Sequence, residues 1–157
     1  MAAAKNMLFL AASAVRGMFD HKDTLGFLSA QIARQIANRL REGLTPLGML
    51  PAQFTALAEI ARDEGLTQKQ LVDRLDVEQP GVARTLAGLE AMGWIERKSI
   101  KGRAQGLWLT DRSREALPRA LEIAREIDRE ALAGLSRTER EHLLDQLSEV
   151  GSGARGP

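Results

Sequence analysis

Residues 66–98, LTQKQLVDRLDVEQPGVARTLAGLEAMGWIERK, contain the signals that decide the fold. Thr67 is followed three residues later by Gln70, a capping box in which each side chain bonds the backbone N–H of the other residue. A short helix is therefore expected to begin after this box. A tight connection then leads to a second helix, because Pro80 suits a first helical turn and Gly93 favours a helix end. The stretch predicts two short helices joined by a tight turn.

A hairpin of two strands is expected directly after the second helix. Residues 94–98 alternate between apolar and polar side chains, 101–103 (Lys-Gly-Arg) are typical of a turn, and 105–109 suit a returning strand. Two short helices followed by such a hairpin are the elements of a winged helix-turn-helix.

Amphipathic helices are expected before this unit. Apolar residues recur at helical spacing over 24–40. A loop punctuated by Gly43, Pro46 and Gly48 follows, and Pro51 then begins a second helix that should end near Gly65.

Two further helices are expected after the hairpin. Thr110 should cap a long helix that reaches about Leu135, with a kink or a second start at Pro118. A second capping box, Ser136-Arg137-Thr138-Glu139, opens the last helix. The sequence thus predicts a mainly α fold with a small β-hairpin wing.

Composition excludes several classes of function. The 157 residues carry a net charge of +1, which excludes a polybasic histone-like protein but allows a local basic patch. Cysteine is absent, and the two histidines, His21 and His142, lie far apart, so no metal site is expected. The chain contains no glycine-rich phosphate loop and no Ser-His-Asp or Cys-His arrangement. We expect neither an enzyme nor a bound cofactor.

The N-terminus contains an apolar run from Met7 to Val15. Nine residues are too few to span a bilayer, which needs about 20. The run and Ala12-Ser13-Ala14 resemble a signal peptide, but a single lysine precedes them, and an amphipathic or partner-buried helix is the favoured interpretation. Translation could also start at Met18. We expect a cytoplasmic protein without a membrane partner.

The order of these segments resembles the MarR family of bacterial transcriptional regulators. The similarity covers roughly residues 24–150 and is carried by LPAQF (50–54), LTQKQL (66–71), LDVEQPGVAR (75–84), LEAMGWIER (89–97) and LWLT (107–110). The resemblance implies a homodimer that presents two winged domains to a pseudo-palindromic operator in double-stranded DNA. It also implies a repressor that a small, often aromatic and anionic, effector releases from DNA.

The resemblance divides the chain into five segments. They are an N-terminal extension that is possibly helical (1–23), N-terminal helices that are part of the dimerisation region (24–62), the winged helix-turn-helix (63–112), C-terminal dimerisation helices (113–150) and a flexible tail (151–157).

Three positions depart from the family pattern. Lys101 stands where members usually carry an Asp that fixes the wing, and Ser113 stands where Gly is common. Glu78 occupies the position of a Ser or Asp helix cap, and its charge lies near the expected phosphates, so operator affinity should be modest.

The helix that begins near Pro80 would be the recognition helix. Val82, Leu86 and Leu89 should face the core, and we expect the DNA-facing residues to be Gln79, Gly81, Ala83 and Arg84. Arg84 is the best candidate for a base contact, because its guanidinium can pair with guanine O6 and N7. Since Gly81 and Ala83 have no polar side-chain atoms, readout of DNA shape by the wing should also matter.

The wing is locally basic. Between Ile95 and Gln105 it carries Arg97, Lys98, Lys101 and Arg103 against Glu96, a balance of 4 − 1 = +3. Contacts to phosphates or the minor groove are expected there, with Arg103 matching the wing-tip arginine of the family. Gln68 and Lys69, at the start of the first short helix, are candidate phosphate ligands.

An effector pocket would, by resemblance, be lined by Phe27, Ile32, Phe54, Leu57 and Trp108, although core packing is the favoured interpretation of each residue taken alone. The alternative function is a winged-helix module that binds a protein partner, with weak or no specific DNA binding.

Overall fold

The structure is a computed structural model that describes residues 22, 24–100, 102 and 104–153. The predicted apolar N-terminal helix, the residues Lys101 and Arg103 and the end of the predicted tail lie outside the described residues. Within these residues, six α-helices and one hairpin follow in the order α1 (Leu25–Leu44), a short 3-10 turn (Thr45–Leu47), α2 (Pro51–Arg62), α3 (Gln68–Leu75), α4 (Gln79–Ala91), β1 (Ile95–Ser99), β2 (Gln105–Leu109), α5 (Asp111–Ala131) and α6 (Arg137–Gly153). This order confirms the predicted fold class.

The chain divides into two units, between Asn38 and Arg39. The described part of the first unit is Lys22 together with the segment that forms most of α1, on which Leu25, Leu28 and Ile32 are exposed. The second unit contains α2 to α6 and the hairpin.

The core of the second unit lies where α2, α3 and α4 meet the hairpin. Its fully buried side chains include those of Leu57, Ile60, Leu71, Leu86, Leu89 and Leu107. Burying one such side chain contributes about 1.5–3 kcal/mol, so this cluster holds the two short helices in place.

The capping box at the start of α3 forms as predicted. The backbone N–H of Thr67 donates to Gln70 Oε1 over 2.8 Å, and the backbone N–H of Gln70 donates to Thr67 Oγ1 over 3.3 Å. Asp76 ends α3 with a φ of 51°, in the left-handed region. Glu78, as expected of a poor cap, accepts no bond through its side chain at the start of α4 within the described part of the chain.

The hairpin is antiparallel and is tied to the connection between α2 and α3. Its register pairs Ile95 with Leu109 and Ser99 with Gln105. Leu107 binds this connection on both sides, since its C=O accepts from the N–H of Gly65 over 2.8 Å and its N–H donates to the C=O of Leu66 over 2.9 Å. The wing is therefore anchored at its base by backbone bonds to the helix-turn-helix.

Three predicted helix ends were wrong. Helix α1 continues past Leu40 to Leu44, through Gly43, where a Cβ atom would collide with the side chain of Ile123. The glycine there permits close packing rather than ending the helix. Helix α5 stops at Ala131 instead of Leu135, and α6 extends to Gly153, into the predicted tail.

Helix α5 also differs at its start and at its proline. Pro118 lies inside a continuous helix and marks no second start, because Leu117 and Ala120 beside it are buried in the core. Thr110 occupies the N-cap position, but its side chain makes no capping bond there. Its hydroxyl lies 2.7 Å from the C=O of Gly93, which links the helix to the end of α4.

Candidate DNA-binding surface

Helix α4 has one buried face and one exposed face. Val82, Leu86 and Leu89 are buried, which confirms the predicted core side. Of the residues predicted to read DNA, those exposed to solvent are Gln79, Gly81 and Arg84, while Ala83 is half-buried. The first turns of α4, which the sequence analysis predicted to read DNA, are thus accessible on the outer side of the helix.

Arg84 is the cation at the centre of this exposed face. Within the part of the chain that the structure describes, no carboxylate lies in salt-bridge distance of Arg84, although eight other arginines and Lys98 are ion-paired. Its guanidinium therefore keeps all its donors for an external acceptor, and the paired edge of a guanine fits this geometry.

The two predicted phosphate ligands at the start of α3 lie in different environments. Lys69 is exposed, and none of the ion pairs in residues 22, 24–100, 102 and 104–153 includes it. Gln68 is half-buried, and its Oε1 accepts a hydrogen bond of 3.3 Å from Arg97 Nη2. Gln68 is thus engaged inside the domain, whereas Lys69 points its charge at solvent.

The strand β1 places its two cations in different environments. The Nε of Arg97 donates to Glu90 Oε1 over 2.9 Å, and its side chain is only 28% exposed. The Nζ of Lys98 lies 2.5 Å from Glu96 Oε1 and 5.7 Å from the ring centroid of Trp108. The side chain of Lys98 is 52% exposed. Lys98 can leave its surface pair at little cost, because exposed pairs are weak.

The tip of the wing is a tight turn. Gly102 has a φ of 64°, and the N–H of Ile100 donates to the C=O of Ala104 over 3.0 Å, which closes the hairpin. Lys101 and Arg103 flank Gly102 in sequence and lie outside the described residues.

Glu64 is a residue that the sequence analysis missed. One of its carboxylate oxygens lies 2.7 Å from Arg114 on α5 and also accepts a bond of 3.3 Å from the N–H of Leu109. The hydrogen bond to Glu64 raises the pKa of Arg114 above its usual value. Glu64 thereby joins the α2–α3 connection to the end of β2 and to α5. Glu64 and Arg114 are 50 residues apart, so no local pattern indicates this contact.

The start of α5 holds the other end of the hairpin. Ser113, a departure from the family pattern, is fully buried, and its hydroxyl lies 2.7 Å from the C=O of Trp94 and 2.9 Å from that of Thr110. Arg112 donates to the C=O of Met92 over 2.6 Å and places its guanidinium 4.5 Å from the ring centroid of Trp94. These bonds fix the connection between α4 and β1 against α5.

The residues of the predicted effector pocket lie in dissimilar surroundings. Leu57 and Phe54 are buried in the core, whereas Phe27 and Ile32 on α1 are exposed. Trp108 packs on the hairpin, with its ring against Gly65 and Gly106.

A cavity of about 300 Å³ instead opens between α2 and the first turns of α4. It shares no residue with the predicted pocket, and its lining is Ala52, Thr55, Ala56, Leu75, Val77, Gly81, Val82 and Thr85.

Across the described ranges, none of the helices is long and apolar enough to cross a bilayer.

Known proteins share this arrangement. The sequence profile of the MarR family matches residues 47–104. The HTH-type transcriptional regulator YwoH of Bacillus subtilis is 35% identical over 77 residues, which cover 49% of this chain and 56% of YwoH. The HTH-type transcriptional repressor Rv2887 of Mycobacterium tuberculosis is 26% identical over 130 residues, or 82% of this chain and 94% of the repressor.

Solved structures extend the likeness to the fold. The crystal structure of a probable transcriptional regulator from Pseudomonas aeruginosa has a TM-score of 0.75 and 28% identity, and the match covers 83% of this chain and 99% of that one. Rv2887 in complex with p-aminosalicylic acid has a TM-score of 0.65 and 25% identity, with 82% and 98% covered. The order of elements, the sequence profile over residues 47–104 and these relatives agree, so the chain is similar to the MarR family of winged helix-turn-helix transcriptional regulators and shares the fold of these solved structures.

Proposed function

We propose that the protein is a homodimeric transcriptional repressor that binds a pseudo-palindromic operator in double-stranded DNA in the cytoplasm. The observation that carries this proposal is helix α4, which buries Val82, Leu86 and Leu89 and leaves Arg84 exposed without a carboxylate partner in the described part of the chain. A cation held on the outer face of a second short helix suits the major groove. The relatives named above support this proposal, since Rv2887 is a transcriptional repressor and YwoH is named as a transcriptional regulator.

The roles of the DNA-facing residues follow from their exposure. Arg84 would read a guanine edge, and Gln79 would bind an adenine or a phosphate. Gly81 and Ala83 would let the helix backbone approach the base edges closely. The phosphate ligands would be Lys69 on α3 and Lys98, Lys101 and Arg103 on the wing.

A dimer is supported by the last helix. Leu144, Leu147 and Val150 are spaced for one face of α6, and they are 55%, 48% and 44% exposed. A two-fold dimer would cover these side chains and would match two half-sites about one helical turn apart.

An aromatic anion is the class of effector that the relatives support, because Rv2887 has been crystallised with p-aminosalicylic acid. Such a ligand would release the repressor only by binding the form with misplaced recognition helices more tightly than the DNA-bound form. Thiol oxidation is excluded as the trigger, since the chain has no cysteine.

The test is a fluorescence-anisotropy titration with the DNA upstream of the protein's own gene, with a random duplex of equal length as the control. We expect tighter binding to the upstream duplex and a steep loss of affinity between two salt concentrations. Salicylate added to the complex should lower the anisotropy. Equal, weak binding to both duplexes would argue instead for a protein partner.

A further inference from the structure

Three elements of the DNA-binding surface meet at one arginine. Arg97 on β1 donates through Nε to Glu90 Oε1 on the last turn of α4, over 2.9 Å. Its Nη2 donates to Gln68 Oε1 in the first turn of α3, over 3.3 Å. We call Gln68, Glu90 and Arg97 the Arg97 clamp, because it joins both short helices to the wing.

The clamp is shielded from solvent more than the other ion pairs of this surface. The side chains of Arg97 and Glu90 are 28% and 36% exposed, against 52% and 48% for Lys98 and Glu96 on the same strand. A shielded pair is less weakened by salt and by water than an exposed one, so it keeps its geometry better. Lys98 is free to turn toward a phosphate, whereas Arg97 would have to abandon two bonds first.

The charge of Arg97 is also already compensated. Glu90 lies on the recognition helix itself, and a carboxylate left beside DNA without its partner would repel the phosphates. Moving Arg97 to a phosphate would therefore expose Glu90 to the same field. The geometry favours an arginine that stays with Glu90 when DNA binds.

From these contacts we infer that Arg97 is a positioning residue of the DNA-binding surface and not one of its phosphate ligands. With Glu90 and Gln68 it sets the placement of the wing relative to the recognition helix, so that Arg84 and the wing engage one stretch of DNA together. This inference rests on the proposed DNA-binding function and specifies which of the basic wing residues act directly. It replaces the expectation from the sequence that Arg97 contacts DNA.

The experiment compares single and exchanged charges. The probe is a duplex selected from a random-sequence library by the wild-type protein, and binding is followed by anisotropy over a series of salt concentrations. The variants are Arg97→Ala, Glu90→Ala and the exchange Glu90→Arg with Arg97→Glu. Arg119→Ala is the control for loss of one positive charge, because Arg119 pairs with Glu122 on the exposed side of α5.

Positioning predicts a specific pattern. Arg97→Ala and Glu90→Ala should each weaken binding about tenfold, the size of one mismatched base contact, with the wild-type salt slope retained. The exchanged variant should recover most of the affinity, since the Gln68 amide can turn and donate to the new carboxylate. Arg119→Ala should bind as the wild type does. Far-UV circular dichroism would verify that each variant is folded.

Two results would overturn the inference. In the first, Arg97→Ala loses affinity with a salt slope lower by about 0.9 per contact while Glu90→Ala binds as the wild type, which identifies a phosphate ligand. In the second, the exchanged variant binds worse than Arg97→Ala. Failure of the proposed function looks different, because the wild-type protein would then enrich no duplex from the library.

Discussion

Arg84 is the residue on which sequence discrimination depends most in our proposal. Replacing it with Ala should reduce the preference for operator over random DNA by about 5- to 150-fold, equivalent to about 1–3 kcal/mol for one bidentate base contact. The reason is that its guanidinium is exposed and has no carboxylate partner in the described ranges. Competition of the two duplexes for the bound protein, followed by anisotropy, measures the preference.

The matched control for this change is Arg119→Ala, which removes another exposed positive charge, from α5. It should leave the preference unchanged, because Arg119 lies outside the helix-turn-helix and the wing. An Arg84→Ala protein that still preferred its operator as strongly as the wild type would show that another residue reads the bases.

Gly106 is the residue on which the seating of the wing depends. A Cβ atom at this position would lie 2.6 Å from the carbonyl oxygen of Gly65 and would also strike the ring of Trp108. Gly106→Ala should therefore destabilise the protein by about 1–3 kcal/mol, the usual cost of overpacking. Urea denaturation gives this free energy of unfolding.

Gly134→Ala serves as the comparison, since a Cβ atom there would have no heavy atom within 4 Å. Its free energy of unfolding should stay within about 0.5 kcal/mol of the wild type, as for ordinary surface changes. Equal stability of the two glycine variants would mean that the hairpin can shift away from Gly65 without cost.

At the scale of elements, the start of α6 should respond to pH. The Ser136 hydroxyl, and then the Ser136 N–H, donate to Glu139 and lower the pKa of its carboxyl below the ordinary value of 4.5. The folded pKa lies below the unfolded pKa, so this stabilisation is present above pH 4.5 and is lost as the pH falls through the folded value.

Glu139→Gln tests this dependence, because the amide keeps an acceptor for the Ser136 N–H but cannot ionise. The wild type should be the more stable protein at neutral pH, and the difference should shrink as the pH is lowered below 4.5. Urea midpoints of both proteins over a pH series provide the measurement. A difference that is constant with pH would contradict the assignment.

Local sequence signals predicted the starts of elements better than their ends. The boxes at Thr67 and Ser136 each need only four consecutive residues, and both form. Gly43 does not end α1, and its close approach to Ile123, 80 positions later in the sequence, cannot be predicted from a local pattern. Helix α5 passes through Pro118 because burial on both sides outweighs one lost backbone bond.

The site follows the same division between local and distant information. The spacing of Val82, Leu86 and Leu89 on one helix was sufficient to predict which side of α4 faces outward. The partners of Arg97 could not be predicted from a run of basic residues, because Glu90 and Gln68 belong to other elements. Composition gives the charge of the wing, but only the fold shows which charges are already compensated.

At the scale of the whole molecule, the proposed repressor requires two copies of the chain. Leu147 is 48% exposed on α6, on the face that it shares with Leu144 and Val150. Each buried leucine contributes about 1.5–3 kcal/mol, and two-fold symmetry counts each contribution twice. Leu147→Glu should therefore give a monomer at micromolar concentration in sedimentation equilibrium, with the winged domain still folded by circular dichroism.

DNA binding should fall with the loss of the dimer, because one winged domain can hold only one half-site. His142→Glu is the matched control, since it also places a carboxylate on an exposed position of α6 but away from the apolar face.

In the wild type, inserting about five base pairs between the half-sites should abolish tight binding, and inserting about ten should restore part of it. A Leu147→Glu monomer that bound operator as tightly as the wild type, whatever the spacing, would show that a single winged domain is the functional unit.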